Sequence, residues 1–590
     1  MESDTASGSE TQSLISSSSF SKSFIWKLVF SRRRLLPGPG YKWLITKPVL
    51  TVIFINFIVG AVYAAMRITA QENYISSPDM ITIVSIFIAL ASAIFSPLSG
   101  FLADVHFGRC RVLSASICLI LVACIIVCLI AILRQLVTAG VWNINLYTHD
   151  VQPVAFGLGA VAVLLLLPGI TSYQANFIPF GLDQLCDAPS VSLALFIHWV
   201  VYADRLGTFV IQIVDAVYEC INTVETSDDI YILIFAMCLS VTVMLVLIIV
   251  CLKLCKFNVE NQRSNPYRMI YKVLVFTRKH RYPLRRSAFT YCDNEVPSRL
   301  DFAKERFGGP FITEQVEDVK TFFKILLVLL ALGPIFVLEI PTSFTVTTVF
   351  TVHVQYASSS YFNHSCSARF VLLEKGLITS LISLILLPLF IWIIFSLLQR
   401  HLLSIFSRLR FAALVYLLGV ASILCIDLAG HIIYSNKSPK GTSMCMFILH
   451  HHHGFELKLH WSVLLLPYLL LGLGQPLTMA TAFEFISAQS PSSMKGLLVG
   501  VFISVKAFFQ LISGIVLIPF SWKSLWDSEH MREHPPVINC GFGYLLFTCV
   551  VAVIGLILLL VVARRYKYRE RDDRPYDQRF AVDVYSRYLQ

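Results

Sequence analysis

Apolar runs long enough to cross a lipid bilayer follow one another along most of the chain. Each holds about 17 to 25 residues, the length that a helix needs to span a hydrocarbon core of roughly 30 Å. The chain is 56% hydrophobic and 14% charged, whereas soluble domains carry about 25% charged residues. The sequence therefore predicts an all-α polytopic membrane protein with about twelve transmembrane helices. The runs lie near residues 45–69, 79–103, 112–134, 151–175, 191–216, 230–254, 322–350, 370–397, 410–433, 461–488, 497–520 and 541–563.

Basic residues mark one side of the membrane. Lys and Arg concentrate in the two tails and in the even-numbered loops, with Arg109 after the second run and Arg564 after the last. Because cytoplasmic loops carry the excess of positive charge, both termini are predicted to be cytoplasmic. Two N-glycosylation sequons, at Asn363 and Asn436, fall in predicted outer loops. The net charge of +11 therefore reflects topology, and we predict no nucleic-acid partner.

The N-terminal tail is polar and Ser-rich, and it lacks the apolar core of a signal peptide. This composition is typical of a disordered cytoplasmic tail. Within the tail, Glu10, Leu14 and Ile15 form a pattern that resembles an acidic dileucine sorting signal. The pattern predicts sorting adaptors as partners and an endolysosomal membrane as the location. An inert tail and the plasma membrane are the alternatives.

Motifs for catalysis and for metal binding are absent from the sequence. No G-x-x-x-x-G-K-[ST] stretch is present to cradle phosphate, and no Cys/His spacing resembles a zinc site. The 15 cysteines lie mostly inside the apolar runs, where cysteine behaves as a small hydrophobic residue. We therefore predict that the chain is not an enzyme, binds no metal and needs no cofactor.

The apolar runs of the C-terminal half contain the ionisable residues Glu339, Glu484 and Lys506. A charged group at membrane depth costs several kcal/mol unless it faces water or a partner, so each is a candidate functional residue. Burying the three apart would cost more than letting them meet, so we expect them to lie together. They would form either a proton-responsive gate or a static Glu–Lys pair. Alternatively, Glu484 lies near the cytoplasmic end of its helix and reaches water.

The loop after the second run reads G-F-L-A-D-V-H-F-G-R-C-R from Gly100. It resembles the signature of the major facilitator superfamily, in which a glycine lets two helices approach. The signature's acidic residue, here Asp104, engages helix-end dipoles and basic residues such as Arg109 to latch the inner gate.

Three further stretches are similar to signatures of the proton-coupled oligopeptide transporter family. They are F-G-L-D-Q from Phe180, F-I-H-W-V-V-Y-A-D-R-L-G-T from Phe196, which includes Trp199, and E-F-I-S-A-Q-S-P-S-S-M-K from Glu484. The resemblance covers about residues 43–566 and identifies the chain as solute carrier 15-like, with the peptide/histidine branch included.

The resemblance implies two six-helix bundles that rock about a central site, driven by a proton gradient. The substrate would be a di- or tripeptide or free histidine, and Glu484 would bind its amino terminus. The expected segments are a tail (1–42), a six-helix bundle (43–256), a cytoplasmic linker with amphipathic helices (257–320), a second bundle (321–566) and a C-terminal tail (567–590).

The chain departs from the family pattern at its ionisable positions. The family's first-helix E-x-x-E-R motif is matched by residues 55–63, which carry no charge, and a fourth-helix Lys is matched by Gln174. Arg205 stands where the family has Asn, and its cation would bind the substrate carboxylate in place of that Lys. Alternatively, Arg205 pairs structurally with Asp204 or Asp183. The candidate substrate residues are thus Glu484, Arg205, Gln174 and Trp199.

The missing first-helix charges leave a second function open. A chain that abandoned proton coupling would lose these charges, and it would then act as a non-transporting receptor or adaptor.

Overall fold

The structure, a computed structural model, describes residues 46–74, 78–138, 148–185, 188, 190–222, 265–280, 297–339, 377–393, 404–435, 465–522 and 542–568, with residues 242, 245, 246, 248 and 249. We number its α-helices in chain order. They are α1 (Lys47–Tyr74), α2 (Pro78–Leu102), α3 (Arg109–Thr138), α4 (Thr148–Asp183), α5 (Ser190–Asn222), α6 (Pro266–Lys279), α7 (Thr313–Leu332), α8 (Leu377–Trp392), α9 (Ile405–Ser435), α10 (Leu465–Gln489), α11 (Lys495–Trp522) and α12 (Phe542–Arg565).

Ten helical segments in these ranges are long and apolar enough to cross a membrane. Each numbered helix except α6 and α8 provides one of these segments. Helix α8 is apolar but has 16 residues, and α6 belongs to the linker. The predicted sixth run, near residues 230–254, lies almost wholly outside the described residues. The prediction of an all-α, multi-pass membrane protein is confirmed. The boundaries of the five expected segments stay predictions.

Helix contacts arrange the described helices in two halves. In the N-terminal half, α1 packs on α5, and α4 packs on α2 and α3. In the C-terminal half, α10 packs on α8 and α9, while α12 packs on α7 and α9. Contacts of α2 with α11 and of α5 with α8 and α10 join the halves. Functional residues on α2, α5, α10 and α11 therefore meet at the interface between halves.

Glycines bring α2 and α11 into backbone contact. A Cβ atom at Gly100 would overlap the carbonyl oxygen of Gly496, and one at Gly500 would overlap that of Ser96. Small residues let membrane helices approach closely, because lipid supplies no hydrophobic force between helices. The close approach expected at Gly100 is confirmed.

Helix α7 changes character where it enters the centre of the protein. Residues Gly333–Leu338 continue it as a 3₁₀-helix, with Pro334 in the first turn. Proline lacks the N–H of the α-helical ladder and clashes with the preceding turn, so the α-helix ends at Leu332. The tighter 3₁₀ turns place Glu339 at their C-terminal end.

The linker contains the amphipathic helix α6, as predicted. The Asn265 side chain accepts a hydrogen bond from the backbone N–H of Arg268 at 3.1 Å and so caps the N-terminus. Ile270 and Val273 lie on the buried face of α6. The helix therefore packs against the protein along one side.

Candidate functional site

A buried ion triad closes one end of the N-terminal half. A π-helical turn, Ala103–Phe107, ends α2, and Gly108 with φ 82° lets α3 begin at Arg109. The guanidinium of Arg109 donates to Asp104 Oδ1 at 3.0 Å and to both oxygens of Asp183 at 2.7 Å. Helix α4 runs eight residues beyond its predicted end at residue 175, and this extension brings Asp183 to Arg109.

Asp104 also connects the two halves. Its Oδ2 accepts a hydrogen bond from the backbone N–H of Leu497 at 2.9 Å, in the first turn of α11. The first N–H groups of a helix have no partner within it, and its N-terminus favours a negative charge. The predicted engagement of Asp104 with a helix end and with Arg109 is confirmed. We call Asp104, Arg109, Asp183 and Leu497 the latch.

A second ion pair lies deeper in the protein. Lys506 Nζ is 2.9 Å from Glu339 Oε1, and the two side chains are 19% and 22% exposed. Lys506 follows the first residue of α11 by eleven residues, or about 16 Å along the helix axis. The expected meeting of Glu339 and Lys506 is confirmed, and it occurs about half-way across the membrane.

The N-terminal half contributes charges to the same region. Asp204, on α5, interacts electrostatically with Arg205 and, across the interface, with Lys506. Arg205 Nε is buried and has no hydrogen-bond partner within the described ranges. Asp204 is thus the nearby acid of Arg205, and Asp183 binds Arg109 instead. We call Glu339, Lys506, Asp204 and Arg205 the central charge cluster.

Neutral hydrogen-bonding groups of α1 and α4 stand beside this cluster. Tyr173 donates its hydroxyl to Asn56 Oδ1 at 3.2 Å, and Asn56 Nδ2 donates to the carbonyl of Val200 at 2.8 Å. Gln174, expected at the binding position, is exposed, whereas Tyr173 is buried. Tyr173 was not a candidate from the sequence, because the family pattern was matched to Gln174, the next residue in the chain. Trp199 is half-buried and contacts Tyr202 edge to face, with ring centroids 5.2 Å apart.

Glu484 binds Arg408, which lies just outside the predicted ninth run at residues 410–433 and was therefore placed in a loop. Arg408, in the first turn of α9, donates to both carboxylate oxygens at 2.8 and 2.5 Å. The two side chains are 4% and 7% exposed. The expectation that Glu484 joins Lys506 is therefore wrong, and so is the expectation that it reaches water. Glu484 lies five residues before the end of α10, so it sits well below the depth of Lys506 and level with the start of α9.

His198 of the N-terminal half faces this pair. His198, on α5, is fully buried, and its Nδ1 is 2.9 Å from the carbonyl oxygen of Ala194. It interacts electrostatically with Glu484 and Arg408. The position of His198 in the F-I-H-W stretch could have marked it as a candidate from the sequence. An apolar run does not, however, indicate which residues of another helix its side chains face.

Other predicted residues lie outside the described ranges. These are the sorting residues Glu10, Leu14 and Ile15 and the glycosylation sites Asn363 and Asn436, whose roles stay predictions. In the described ranges, no group of three His, Cys, Asp or Glu side chains is placed to hold a metal ion.

No family model matches the chain. Solute carrier family 15 member 3 of Mus musculus is 23% identical over 526 residues, an alignment that covers 84% of this chain and 86% of the mouse protein. The chain is thus similar, over most of its length, to a solute carrier of family 15. Its resemblance to the oligopeptide transporter family is confirmed.

Solved structures show the fold. An auto-inhibited POT family peptide transporter matches this chain with a TM-score of 0.53 at 13% identity, over 90% of this chain and 99% of that one. The POT family transporter PepTSo matches with a TM-score of 0.52 at 15% identity, over 88% and 97%. The chain therefore shares the helical fold of these two solved transporters.

Proposed function

We propose that this protein moves small peptides, or an amino acid such as histidine, across a membrane by alternating access. The observation that carries the proposal is the central charge cluster. Its four residues come from both halves and lie deep in the membrane region, where ionisable groups are rare and mark substrate or ion pathways. A helix bundle with a purely structural role would not need ionisable residues at this depth.

The cluster has the chemistry that a zwitterionic solute requires. Its two carboxylates and two cations balance in charge, so a ligand with one ammonium and one carboxylate would exchange ion pairs without leaving a net charge. Arg205 is the proposed carboxylate partner, since its buried Nε has no hydrogen bond in the described ranges. Trp199, which is half-buried, stays a predicted substrate residue. Gln174 stays a weaker candidate because it is exposed.

The ammonium role of Glu484 also stays a prediction, with a condition. Both oxygens of its carboxylate are bound by Arg408, so a substrate ammonium would have to displace a bidentate guanidinium. Such charge-assisted pairs are among the strongest hydrogen bonds in proteins. Glu484 would therefore bind substrate only in a conformation in which Arg408 has released it.

A closed latch and an ion-paired centre fit one state of an alternating-access cycle. The latch joins α2 to α11 at the end that carries Arg109, which the charge pattern assigns to the cytoplasm. A site of this kind would open to the other side, and release of the latch would reverse the access. We further propose that a proton gradient supplies the energy, with Glu339 and Lys506 as gating residues, in an endolysosomal or plasma membrane.

Uptake into proteoliposomes tests the proposal. We expect saturable uptake of a labelled dipeptide or of histidine, with empty liposomes as the control. Arg205→Ala should weaken the affinity for dipeptides with a free carboxylate by about 1.5 to 3 kcal/mol relative to their amidated analogues. Equal losses for both would mean that Arg205 has a structural role. Absence of both uptake and ligand-induced thermal stabilisation would overturn transport and favour a receptor or adaptor.

A further inference from the structure

Asp204 occupies space that helix α1 leaves empty. A Cβ atom placed on Gly60 would lie 2.8 Å from the backbone oxygen of Asp204 and 3.0 Å from its Oδ1. One turn further along α5, a Cβ at Gly207 would overlap the carbonyl oxygen of Phe57. Two glycines thus bring the backbones of α1 and α5 together, and the carboxylate of Asp204 lies where a side chain of α1 would otherwise project.

The surroundings of Asp204 are cationic and come from both halves. The charged or titratable groups that interact with it are Arg205 on its own helix, Lys506 on α11 and Tyr173 on α4. From α1 it faces Gly60, which has no side chain to titrate. The described part of α8 has no ionisable side chain at all, and the carboxylate of α10, Glu484, is bound by Arg408.

Lys506 therefore has one acid in each half. Glu339 binds it directly within the C-terminal half, at 2.9 Å. Asp204 attracts it from the N-terminal half, across the surface along which the halves would move. The strength of the second attraction depends on whether Asp204 is ionised, because the neutral acid has no charge to offer the ammonium.

Access distinguishes Asp204 from other acids of the N-terminal half. Asp204 is half-buried, whereas Asp215 on the same helix and Asp104 and Asp183 in the latch are buried. At this position between the halves, a carboxylate can exchange a proton with water that enters there. The other three acids are removed from such water in this state.

We propose that Asp204 is a proton-binding residue of the transport cycle, supplied by α5 where residues 55–63 of α1 carry no charge. On the open side, its carboxylate takes a proton from water and loses its hold on Lys506, which stays with Glu339. After the halves rock, the proton leaves to water on the opposite side, and the ionised carboxylate attracts Lys506 again. This assignment rests on the proposed transport function.

Two transport modes separate proton coupling from substrate movement. Counterflow exchange of labelled for unlabelled dipeptide at equal pH needs no net proton transfer, whereas uptake driven by a pH gradient does. We expect Asp204→Asn to lose gradient-driven uptake and the accompanying acidification of the vesicle interior, while counterflow continues. Asp215→Asn, which removes a carboxylate from the same helix eleven residues away, should retain both modes.

Each other result would overturn the assignment. Gradient-driven uptake by Asp204→Asn at the wild-type rate would exclude a proton role. Loss of counterflow as well, in a variant with wild-type melting temperature, would make Asp204 a substrate ligand. Should Asp204→Asn fail to fold, Asp204→Glu decides, because a proton role predicts retained coupling with a shifted pH profile and an unshifted profile excludes it. Wild-type protein without counterflow would overturn the proposed function itself.

Discussion

At the scale of single residues, the pair of Arg408 and Glu484 shows how a buried charge is stabilised in this fold. Two parallel hydrogen bonds join a guanidinium to a carboxylate, and both side chains are almost fully buried. Removing such charges from water is costly, and geometry as good as this is what compensates for it. The pair connects the start of α9 to the end of α10, so it stabilises the base of the C-terminal half.

Glu484→Gln should lower stability without rescue from Lys506. The substitution leaves the Arg408 cation buried and unpaired, which costs about 3 to 5 kcal/mol for a pair of this kind. We expect a lower melting temperature of the purified protein in detergent. Adding Arg408→Gln, which removes the stranded cation, should restore much of it.

Lys506→Met is the matched control for this prediction. It removes a cation that pairs with Glu339, so it should not restore Glu484→Gln. Rescue by Lys506→Met rather than by Arg408→Gln would show that Glu484 pairs with Lys506 in solution.

Residue partners were the least predictable feature from the sequence. The basic residues near Arg408 indicate a cytoplasmic loop. The same pattern does not show that the Arg408 side chain points into the helix bundle and binds Glu484. The depth of a charged residue depends on where its helix begins, and an error of a few residues changes its partner. Glu339 and Lys506, which were expected to lie together with Glu484, do meet. Both lie well inside their runs, where such errors matter less.

At the scale of elements, the contact of α2 with α11 combines packing with polar interaction. The glycines bring the backbones together, and Asp104 then reaches the N–H of Leu497. The hydrogen bond depends on the packing, because a larger residue at Gly100 would separate the helices and remove Leu497 from the reach of the carboxylate.

Gly100→Val should prevent this contact. The added side chain would meet the backbone of Gly496, which cannot rotate away as a flexible side chain can. We expect a longer distance between spin labels on the ends of α2 and α11, together with reduced uptake. Gly157→Val is the control, since a Cβ there meets nothing within 4 Å. An unchanged distance in Gly100→Val would contradict the role of the glycine contact.

The linker has an ionic element of its own. Lys304 and Lys320 both bind Asp301 and Glu317, with N–O distances between 2.5 and 3.2 Å. Burial alone would raise the pKa of Asp301, but hydrogen bonds from Lys304, Lys320 and Ser298 hold it below its usual range. The cluster therefore joins the linker to the first turns of α7.

Asp301→Asn should destabilise the protein in a pH-dependent manner. An acid whose pKa is lowered by folding adds stability above its unfolded pKa of about 3.9, and this stability is lost as the pH falls through the folded pKa. The melting temperature of the variant should fall below wild type at pH 7, and the difference should shrink below about pH 4. Glu305→Gln, an exposed change in the same loop, should have little effect at either pH. A difference that does not depend on pH would exclude the charge as its cause.

Elements were predicted better than their ends. Apolar length is a local property, so runs near α1, α5 and α9 were placed within a few residues. The extension of α4 to Asp183 was missed, because its polar last turn is stabilised by Arg109 from another helix. The 3₁₀ segment of α7 was missed as well, although Pro334 was a visible signal for it.

At the scale of the whole molecule, the two halves interact at three depths. The latch lies at one end, the pair of Arg408 and Glu484 faces His198 above it, and the central charge cluster lies deepest. At each of these three depths, charged residues of one half face the other half. Such contacts can break and re-form as units, which suits a molecule that changes access by rocking one half against the other.

Asp104→Ala should shift the balance between these states. The substitution removes the acceptor of the Leu497 N–H, which crosses between the halves, and one partner of Arg109 within the N-terminal half. The state closed at this end loses the Leu497 hydrogen bond, which a state open at this end does not make, so the population should move towards the open form. Hydrogen exchange should accelerate in the first turn of α11 and at the end of α2, while the cores of α3 and α9 stay protected. Ser114→Ala, which removes a hydrogen bond within α3, should leave this exchange unchanged. Equal protection of the first turn of α11 in wild type and Asp104→Ala would mean that the latch does not hold the two halves together.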